Sequence, residues 1–114
     1  GSAGNKEDIP MSISQSVLVR PLPNKLDEFI SRLAKSKTLY EQNGSRVSFY
    51  RTVAGPAPNA VLIVSTVDDW DQWSKAASAI ENNADFAAIQ REHAADPAAE
   101  VLATGILKEF ELPS

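Results

Sequence analysis

The stretch SISQSVLVRPLPNKLDEFI, Ser12 to Ile30, changes its hydrophobic period half-way along, and the rest of the fold prediction builds on this change. Its first half alternates between two sets of side chains, a period of two that predicts a strand. One set is Ile13, Gln15, Val17 and Val19, and the other is Ser14, Ser16, Leu18 and Arg20. Pro21 and Pro23 end the strand, because proline cannot donate a ladder hydrogen bond.

The second half of the stretch begins a helix. Asn24 is a good N-cap residue, and Asp27 and Glu28 fall in the first turn, where the helix dipole favours negative charge. Asn43-Gly44 is typical of a helix C-terminus. Apolar side chains recur at helical spacing at Leu26, Phe29, Ile30, Leu33 and Tyr40. We therefore predict one long, well-delimited helix over this segment.

Beyond this helix the sequence predicts a hairpin of two strands. Arg46 to Val53 is rich in β-branched and aromatic residues, and Ala60 to Val67 is rich in β-branched ones. The intervening AGPAPN, residues 54–59, supplies the glycine and the prolines of a turn. Consecutive strands joined in this way form an antiparallel pair.

A helical region from Asp68 to Pro97 and a final strand complete the chain. Asp68 and Asp69 offer an N-cap, and Asn82-Asn83 divides the region into two short helices. The second helix ends at Asp96-Pro97, because the residue before a proline is disfavoured in the α conformation. Val101 to Leu112 is predicted as the last strand.

The predicted order is strand, helix, strand, strand, helix, strand, the ferredoxin-like βαββαβ arrangement of an α+β protein. Its four-stranded antiparallel sheet carries the helices on one face, because right-handed crossovers place them there. The runs VLV, VLIV and GIL are nevertheless apolar on both faces of their strands. A bare apolar face marks an interaction surface, so we expect two copies to pack sheet to sheet as a homodimeric α/β barrel.

The segments PLPNKLDEFI, DDWDQWSKAASAI and DFAAIQREH resemble the dimeric α/β-barrel superfamily, in particular its NIPSNAP-like and antibiotic-biosynthesis-monooxygenase-like branches. In such proteins a Pro-x-Lys-x-x-Glu-Phe run opens the first long helix, as Pro23, Lys25, Glu28 and Phe29 do here. The resemblance covers residues 14–111 and implies a pocket between sheet and helices in each subunit. Catalytic residues differ between branches, so the resemblance implies no particular one.

Composition excludes several classes of function. The chain of 114 residues contains no cysteine and one histidine, which argues against thiolate chemistry and against a cysteine- or histidine-rich metal site. A net charge of -4 without a basic run argues against nucleic acid, and no apolar run approaches the roughly 20 residues that span a membrane. We expect a single domain at residues 12–114, a flexible tail at residues 1–11, and no metal or cofactor.

The first residues leave the compartment open. The chain begins Gly1-Ser2-Ala3-Gly4 without a methionine, which fits a processed terminus or an added stretch before Met11. The absence of cysteine fits either compartment. We expect export, to a bacterial periplasm, in preference to the cytoplasm.

Two residues are candidates for acid–base chemistry. His93 shares a helical stripe with Phe86, Ile89 and Gln90, so its imidazole can point toward the sheet. The competing interpretation is a histidine at a helix C-terminus that complements the dipole and caps carbonyls. Tyr50 alternates with Phe49, so only one of these two side chains faces the helices.

Aromatic and basic residues are candidates for ligand binding. Trp70 and Trp73 lie three apart on one helical face, and with Phe86 they could form the aromatic wall of a pocket, or simply anchor their helices. Arg20 and Arg51 lie in predicted strands, where an inward arginine is costly unless paired, so either could bind an anionic group of a ligand. The alternatives are pairing with Glu109 or Glu111 and exposure at a strand end.

Three functions remain open on this basis. A domain that binds a small organic ligand without catalysis comes first, because the sequence supplies a pocket-forming fold but no nucleophile or acid–base pair. A cofactor-independent monooxygenase, isomerase or lyase is second, and a structural or protein-interaction dimer is third. In each case we expect Asp68 to Pro97 to be the mobile wall of the pocket, because two short helices depend on docking for their stability.

Overall fold

The computed structural model describes residues 11–113. Except for Met11, the predicted flexible tail lies outside the described residues. The helices and strands are β1 (Ile13–Pro21), α1 (Leu26–Gln42), β2 (Arg46–Arg51), β3 (Val61–Val67), α2 (Trp70–Glu81), α3 (Ala84–Ala95) and β4 (Ala99–Lys108).

The four strands form one antiparallel sheet in the order β2-β3-β1-β4. The predicted ferredoxin-like α+β fold and its hairpin are therefore confirmed. The division of the second helical region at Asn82-Asn83 is also confirmed, since Asn82 ends α2 and Asn83 caps α3 by accepting from the backbone N–H of Asp85 and Phe86.

The register between β1 and β3 decides which side chains lie under the helices. Ile13 pairs with Val67, Gln15 with Ser65, Val17 with Ile63 and Val19 with Val61. All eight side chains project from the same face, because paired residues of neighbouring strands point to the same side.

Two separate apolar clusters fill the space between this face and the helices. Ile13, Val67 and Ala76 form one cluster, with Trp73 packed against it. The other consists of Val19, Phe29 and Ala98, with Val17, Leu33, Val61, Ile63 and Ala99 against it. Between them lies the pair Gln15 and Ser65, so the core is interrupted by two polar side chains.

The prediction of Asn24 as a helix N-cap is wrong. Asn24 adopts a positive φ of 62°, and the N–H of Lys25 donates to the carbonyl of Leu22 over 3.1 Å. Proline at the second position and asparagine with positive φ at the third are typical of a type II turn. Lys25 precedes α1 instead, and its side chain makes no capping hydrogen bond.

The bounds of the last strand also differ from the prediction. The strand begins at Ala99, which pairs with Pro21, and ends at Lys108, which pairs with Ile13. Because β1 begins at Ile13, the ladder has no partner for residues 110–112. A register shift at Leu18/Val19 leaves Leu102 as an extra residue in β4.

We predict that Phe29→Ala lowers the free energy of unfolding by about 3–5 kcal/mol, because the ring is 5% exposed in the larger cluster. The matched control is Leu26→Ala in the same helix, where the side chain is 49% exposed and the loss should be about 1 kcal/mol or less. Urea unfolding measures both. Equal losses would contradict this description of the core.

Candidate functional site

A cavity of about 290 Å³ lies between the sheet and the helices, where the two apolar clusters leave a gap. Its floor is the strand pair Gln15 and Ser65, and its walls come from all three helices. The helices line it with, among others, Tyr40 of α1, Trp73 and Ile80 of α2, and Phe86 and Gln90 of α3. We call this space the central cavity.

The floor of the central cavity is polar and has free hydrogen-bonding capacity. Within the described residues, neither the Gln15 amide nor the Ser65 hydroxyl takes part in a side-chain hydrogen bond. An amide offers two donors and one acceptor, and a hydroxyl offers both functions. Both side chains are half-buried, so their polar groups are open to the cavity and can bind a guest molecule or water.

Tyr40 supplies a third polar group on the opposite wall. Its ring meets that of Phe86 edge to face, with centroids 6.2 Å apart and planes at 85°. Burial raises the pKa of the Tyr40 phenol, so the neutral form that can donate a hydrogen bond is favoured. The cavity therefore presents an amide, an aliphatic hydroxyl and a phenol between aromatic surfaces.

Phe86 separates the central cavity from two neighbouring spaces. A side cavity of about 160 Å³ shares Gln15, Ser65 and Tyr40 with it and extends to Val17 and Phe49. An end groove of about 340 Å³ runs from Phe86 past His93 to Val101. Rotation of this one ring would change how the three spaces connect.

Helix α3 covers these spaces without burying a side chain. None of its residues is buried, whereas α1 buries Phe29, Arg32 and Leu39, and α2 buries Ala76 and Ile80. A helix that buries so little gains little from docking, because apolar burial is the main favourable term in packing. α3 is thus the weakest wall of the site.

Charged groups hold the C-terminal end of α3. Arg32 of α1 is buried, and its Nη1 donates to the carbonyl of Asp96 over 2.6 Å. Its Nε lies 3.4 Å from Oε1 of Glu92, and Lys25 Nζ lies 2.8 Å from Oδ1 of Asp96. The hydrogen bond from Lys25 lowers the pKa of the Asp96 carboxyl and raises that of Lys25. These contacts fix the end of α3 to α1.

Three of the predicted site residues lie around the spaces that α3 covers. Trp73 and Phe86 line the central cavity, and His93 is exposed and lines the end groove. Trp70 lies outside, 49% exposed, and meets Trp73 edge to face with ring centroids 5.8 Å apart. Trp70 lines none of the cavities described above, and its role in ligand binding stays a prediction.

Arg20 and Tyr50 lie on the side of the sheet away from the helices and from His93. Arg20 pairs with Glu100 and Tyr50 with Leu62, positions that project from the face away from the helices. Phe49 is the aromatic residue of β2 that faces the helices. Arg51 is on the helix side but at the sheet edge, in a groove beside Tyr50. Any role of these three residues in ligand binding or catalysis stays a prediction.

The described residues provide neither a metal-binding cluster nor a helix that could span a membrane. Residues 11–113 contain no group of three or more His, Cys, Asp or Glu side chains placed to hold a metal ion. Asp69 instead caps α2 by accepting from the backbone N–H of Gln72 over 2.8 Å. None of the helices in the described part of the chain is long and apolar enough to cross a membrane.

Solved structures share this arrangement. A NIPSNAP family protein of unknown function from Agrobacterium tumefaciens superposes with a TM-score of 0.68 at 9% identity, over 92% of this chain and 93% of that one. An uncharacterised NIPSNAP-like domain protein from Burkholderia xenovorans gives 0.62 at 14%, over 89% and 85%. SnoaB, a cofactor-independent oxygenase from Streptomyces nogalater, gives 0.64 at 13%, over 90% and 96%.

The chain has the fold of the NIPSNAP-like and SnoaB-like proteins. The resemblance inferred from the sequence is thereby confirmed at the level of fold. No protein-family model and no curated protein matches the chain. At such low identity the shared fold specifies no ligand and no reaction.

Sequence reasoning missed several residues of the site. Gln15 and Ser65 each replace an apolar residue in an alternating strand pattern, and the sequence shows this directly. That the two lie side by side depends on the register of β1 against β3, which the sequence does not show. Tyr40 and Gln90 recur at helical spacing with apolar residues, a pattern that indicates packing against the sheet and gives no sign of a ligand site. The burial of Arg32 has no local signal, because it depends on the position of Asp96 at the end of another helix.

We predict that amide hydrogen exchange is faster in α3 than in α1, with α2 intermediate. The order follows from the buried side chains that each helix contributes, since local opening costs less where fewer are lost. Exchange resolved by mass spectrometry measures it. Protection of residues 84–95 equal to or above that of residues 26–42 would contradict both the description of α3 as the weakest wall and the prediction that Asp68 to Pro97 is mobile.

Proposed function

We propose that this protein binds a small, neutral, flat organic molecule in the central cavity. The observation that carries the proposal is the pair Gln15 and Ser65, which lies with unused hydrogen-bonding capacity between two apolar clusters. A few convergent polar groups within apolar and aromatic walls are typical of small-molecule sites.

The charge of the lining supports a neutral ligand. Among the residues that line the central cavity only Glu81 is ionisable at neutral pH, and it is exposed in the last turn of α2. Phe86 and Trp73 supply aromatic surfaces that suit a ring system. Hydroxyl or carbonyl substituents would complement the Gln15 amide, the Ser65 hydroxyl and the Tyr40 phenol.

The alternative function is a cofactor-independent monooxygenase, isomerase or lyase. SnoaB, which has the same fold, is a cofactor-independent oxygenase. In the present chain Tyr40 is the phenol that lines the cavity, whereas Tyr50 projects from the other face. His93 would have to act from the end groove. These placements support ligand binding more strongly than catalysis. A purely structural role would not account for the polar side chains of Gln15 and Ser65 on the floor of the cavity.

We also propose that the protein is a homodimer that packs sheet to sheet. Leu18, Leu62, Val64 and Leu107 project from the face opposite the helices, together with Tyr50. Their apolar area would be covered by the same face of a second copy, in keeping with the symmetry of most homo-oligomers. In such a dimer Arg20 and Tyr50 would lie at the interface.

We predict that 1-naphthol, a neutral two-ring phenol, binds and that Gln15→Leu weakens its binding roughly 10-fold, the usual effect of losing one hydrogen bond in a buried site. Isothermal titration calorimetry measures the affinity. Gln42→Leu, the same exchange at the exposed end of α1, is the matched control and should leave it unchanged. Equal affinities of the two variants for 1-naphthol, or no binding by the native chain, would contradict the proposed site.

We predict a particle of twice the chain mass of 12.3 kDa in light scattering at micromolar concentration. Leu62→Lys, on the sheet face away from the helices, should shift the mass toward that of the monomer, because it places a charge in the proposed apolar interface. Val53→Lys, which introduces the same charge at an exposed position, serves as the control. A native chain that scatters as a monomer would refute the dimer.

A further inference from the structure

The end groove combines an apolar lining with one buried arginine. Its walls are mostly aliphatic and aromatic, and they include Val19, Phe29, Leu33, Ile89 and Val101. Arg32 also lines the groove, and only 8% of this residue is exposed. A buried positive charge is costly unless it is compensated, so the partners of this guanidinium decide what the groove can bind.

The guanidinium of Arg32 has unused donors. A guanidinium carries five N–H donors, and within the described residues Arg32 makes one hydrogen bond, from Nη1 to the carbonyl of Asp96. Its Nε is shielded from solvent and makes no hydrogen bond, although Oε1 of Glu92 lies 3.4 Å away. Nη2 lies 3.8 Å from Oδ2 of Asp96, beyond hydrogen-bonding distance. Buried polar groups are usually hydrogen-bonded, so the unused donors point to a further acceptor.

The neighbouring acids leave the charge of Arg32 open to a ligand. Lys25 holds the carboxylate of Asp96 with hydrogen bonds of 2.8 and 3.0 Å to its two oxygens. The side chain of Glu92 is 47% exposed, so water screens its charge. Neither acid lines the groove. In the described part of the chain the polar lining residues are Arg32, Ser36, Gln90 and His93. The groove therefore presents positive charge and neutral polar groups, and no carboxylate.

His93 borders the same end of the groove as the guanidinium. It lies one helical turn before Asp96, whose carbonyl accepts from Arg32, so the imidazole and the guanidinium are neighbours. Phe86 marks the other end, seven residues or about 10 Å earlier along the axis of α3. Between a polar end and an aromatic end at this separation, an extended chain of about eight carbons fits.

We propose that the end groove is a second binding site, for an aliphatic monocarboxylate of medium chain length. The carboxylate accepts hydrogen bonds from Arg32 and His93, and the chain lies on the apolar walls toward Phe86. Hydrogen bonds between a guanidinium and a carboxylate are among the strongest in proteins, and burial of each methylene adds to the affinity. The site goes beyond the neutral-ligand site of the central cavity and does not depend on it.

The native chain provides the first test, because sodium octanoate and 1-octanol share their apolar chain and differ in the charge of the head group. We expect octanoate to bind at least roughly tenfold more tightly in isothermal titration calorimetry, because the carboxylate adds an ion pair with Arg32 that the alcohol lacks. Equal affinities, or no binding of octanoate, would overturn the proposal.

The second test removes the charge from the groove. Arg32→Gln should weaken octanoate binding at least roughly tenfold and change the affinity for 1-octanol by about twofold or less, because the apolar walls remain. Lys35→Gln removes a positive charge from an exposed position of the same helix and should leave both affinities unchanged. An equal loss for both ligands in Arg32→Gln would count against the carboxylate contact, since Arg32 would then act only by holding α3.

A further variant keeps the test independent of the contacts between Arg32 and α3. Val101 of β4 lines the groove and is 55% exposed. Val101→Glu should weaken octanoate binding at least roughly tenfold, and 1-octanol binding less, because it places a like charge beside the carboxylate. Val53→Glu is the same exchange at a residue that is 88% exposed and outside the groove, and it should change neither affinity. An unchanged octanoate affinity in Val101→Glu would overturn the site.

The outcomes also separate this site from the central cavity. Gln15→Leu should leave the affinity for octanoate unchanged, and Arg32→Gln should leave that for 1-naphthol unchanged. If Gln15→Leu weakens octanoate binding as much as Arg32→Gln does, octanoate lies in the central cavity and the second site is refuted. Failure of 1-naphthol to bind, with octanoate bound as described, overturns the proposed function of the central cavity and leaves the end groove standing.

Discussion

The register of β1 against β3 is the constraint on which the rest of the site depends. It places Gln15 beside Ser65 under the helices, with an apolar cluster on either side. A slip of one residue in this pairing would turn one strand over relative to the other, and a β1 turned over in this way would expose its apolar set and bury Ser14, Ser16 and Arg20. The apolar residues Ile13, Val17 and Val19 of β1 therefore keep the polar pair on the helix side of the sheet.

The interruption of the core explains the position of α3. A helix packs closely on a sheet where apolar side chains interdigitate, whereas α3 faces Gln15 and Ser65 across the central cavity. The structure instead holds α3 by its ends, through the Asn83 cap and through the contacts of Arg32 and Lys25 with Asp96. The helix is thus held mainly at its ends, which is consistent with the prediction that it is a mobile wall.

The parts of the fold that were predictable carry local signals. The period of two in β1, the Asn43-Gly44 stop and the Asn82-Asn83 break each depend on neighbouring residues alone, and each is found in the structure. Asn24 was misread because asparagine suits both a helix cap and the third position of a turn after proline. The faces of Tyr50 and Arg20 and the burial of Arg32 require the register or the tertiary position of Asp96, so the sequence pattern alone does not determine them.

Urea unfolding of the double variant Gln15→Leu/Ser65→Val tests most directly whether the polar floor contributes to ligand binding and not to the stability of the fold. If it serves binding, apolar side chains of similar size should join the two clusters, and the free energy of unfolding should equal or exceed that of the native chain. We predict this result, and we also expect slower hydrogen exchange in α3. A loss of about 2 kcal/mol or more would contradict it, because Gln15 and Ser65 would then be part of what holds the fold together.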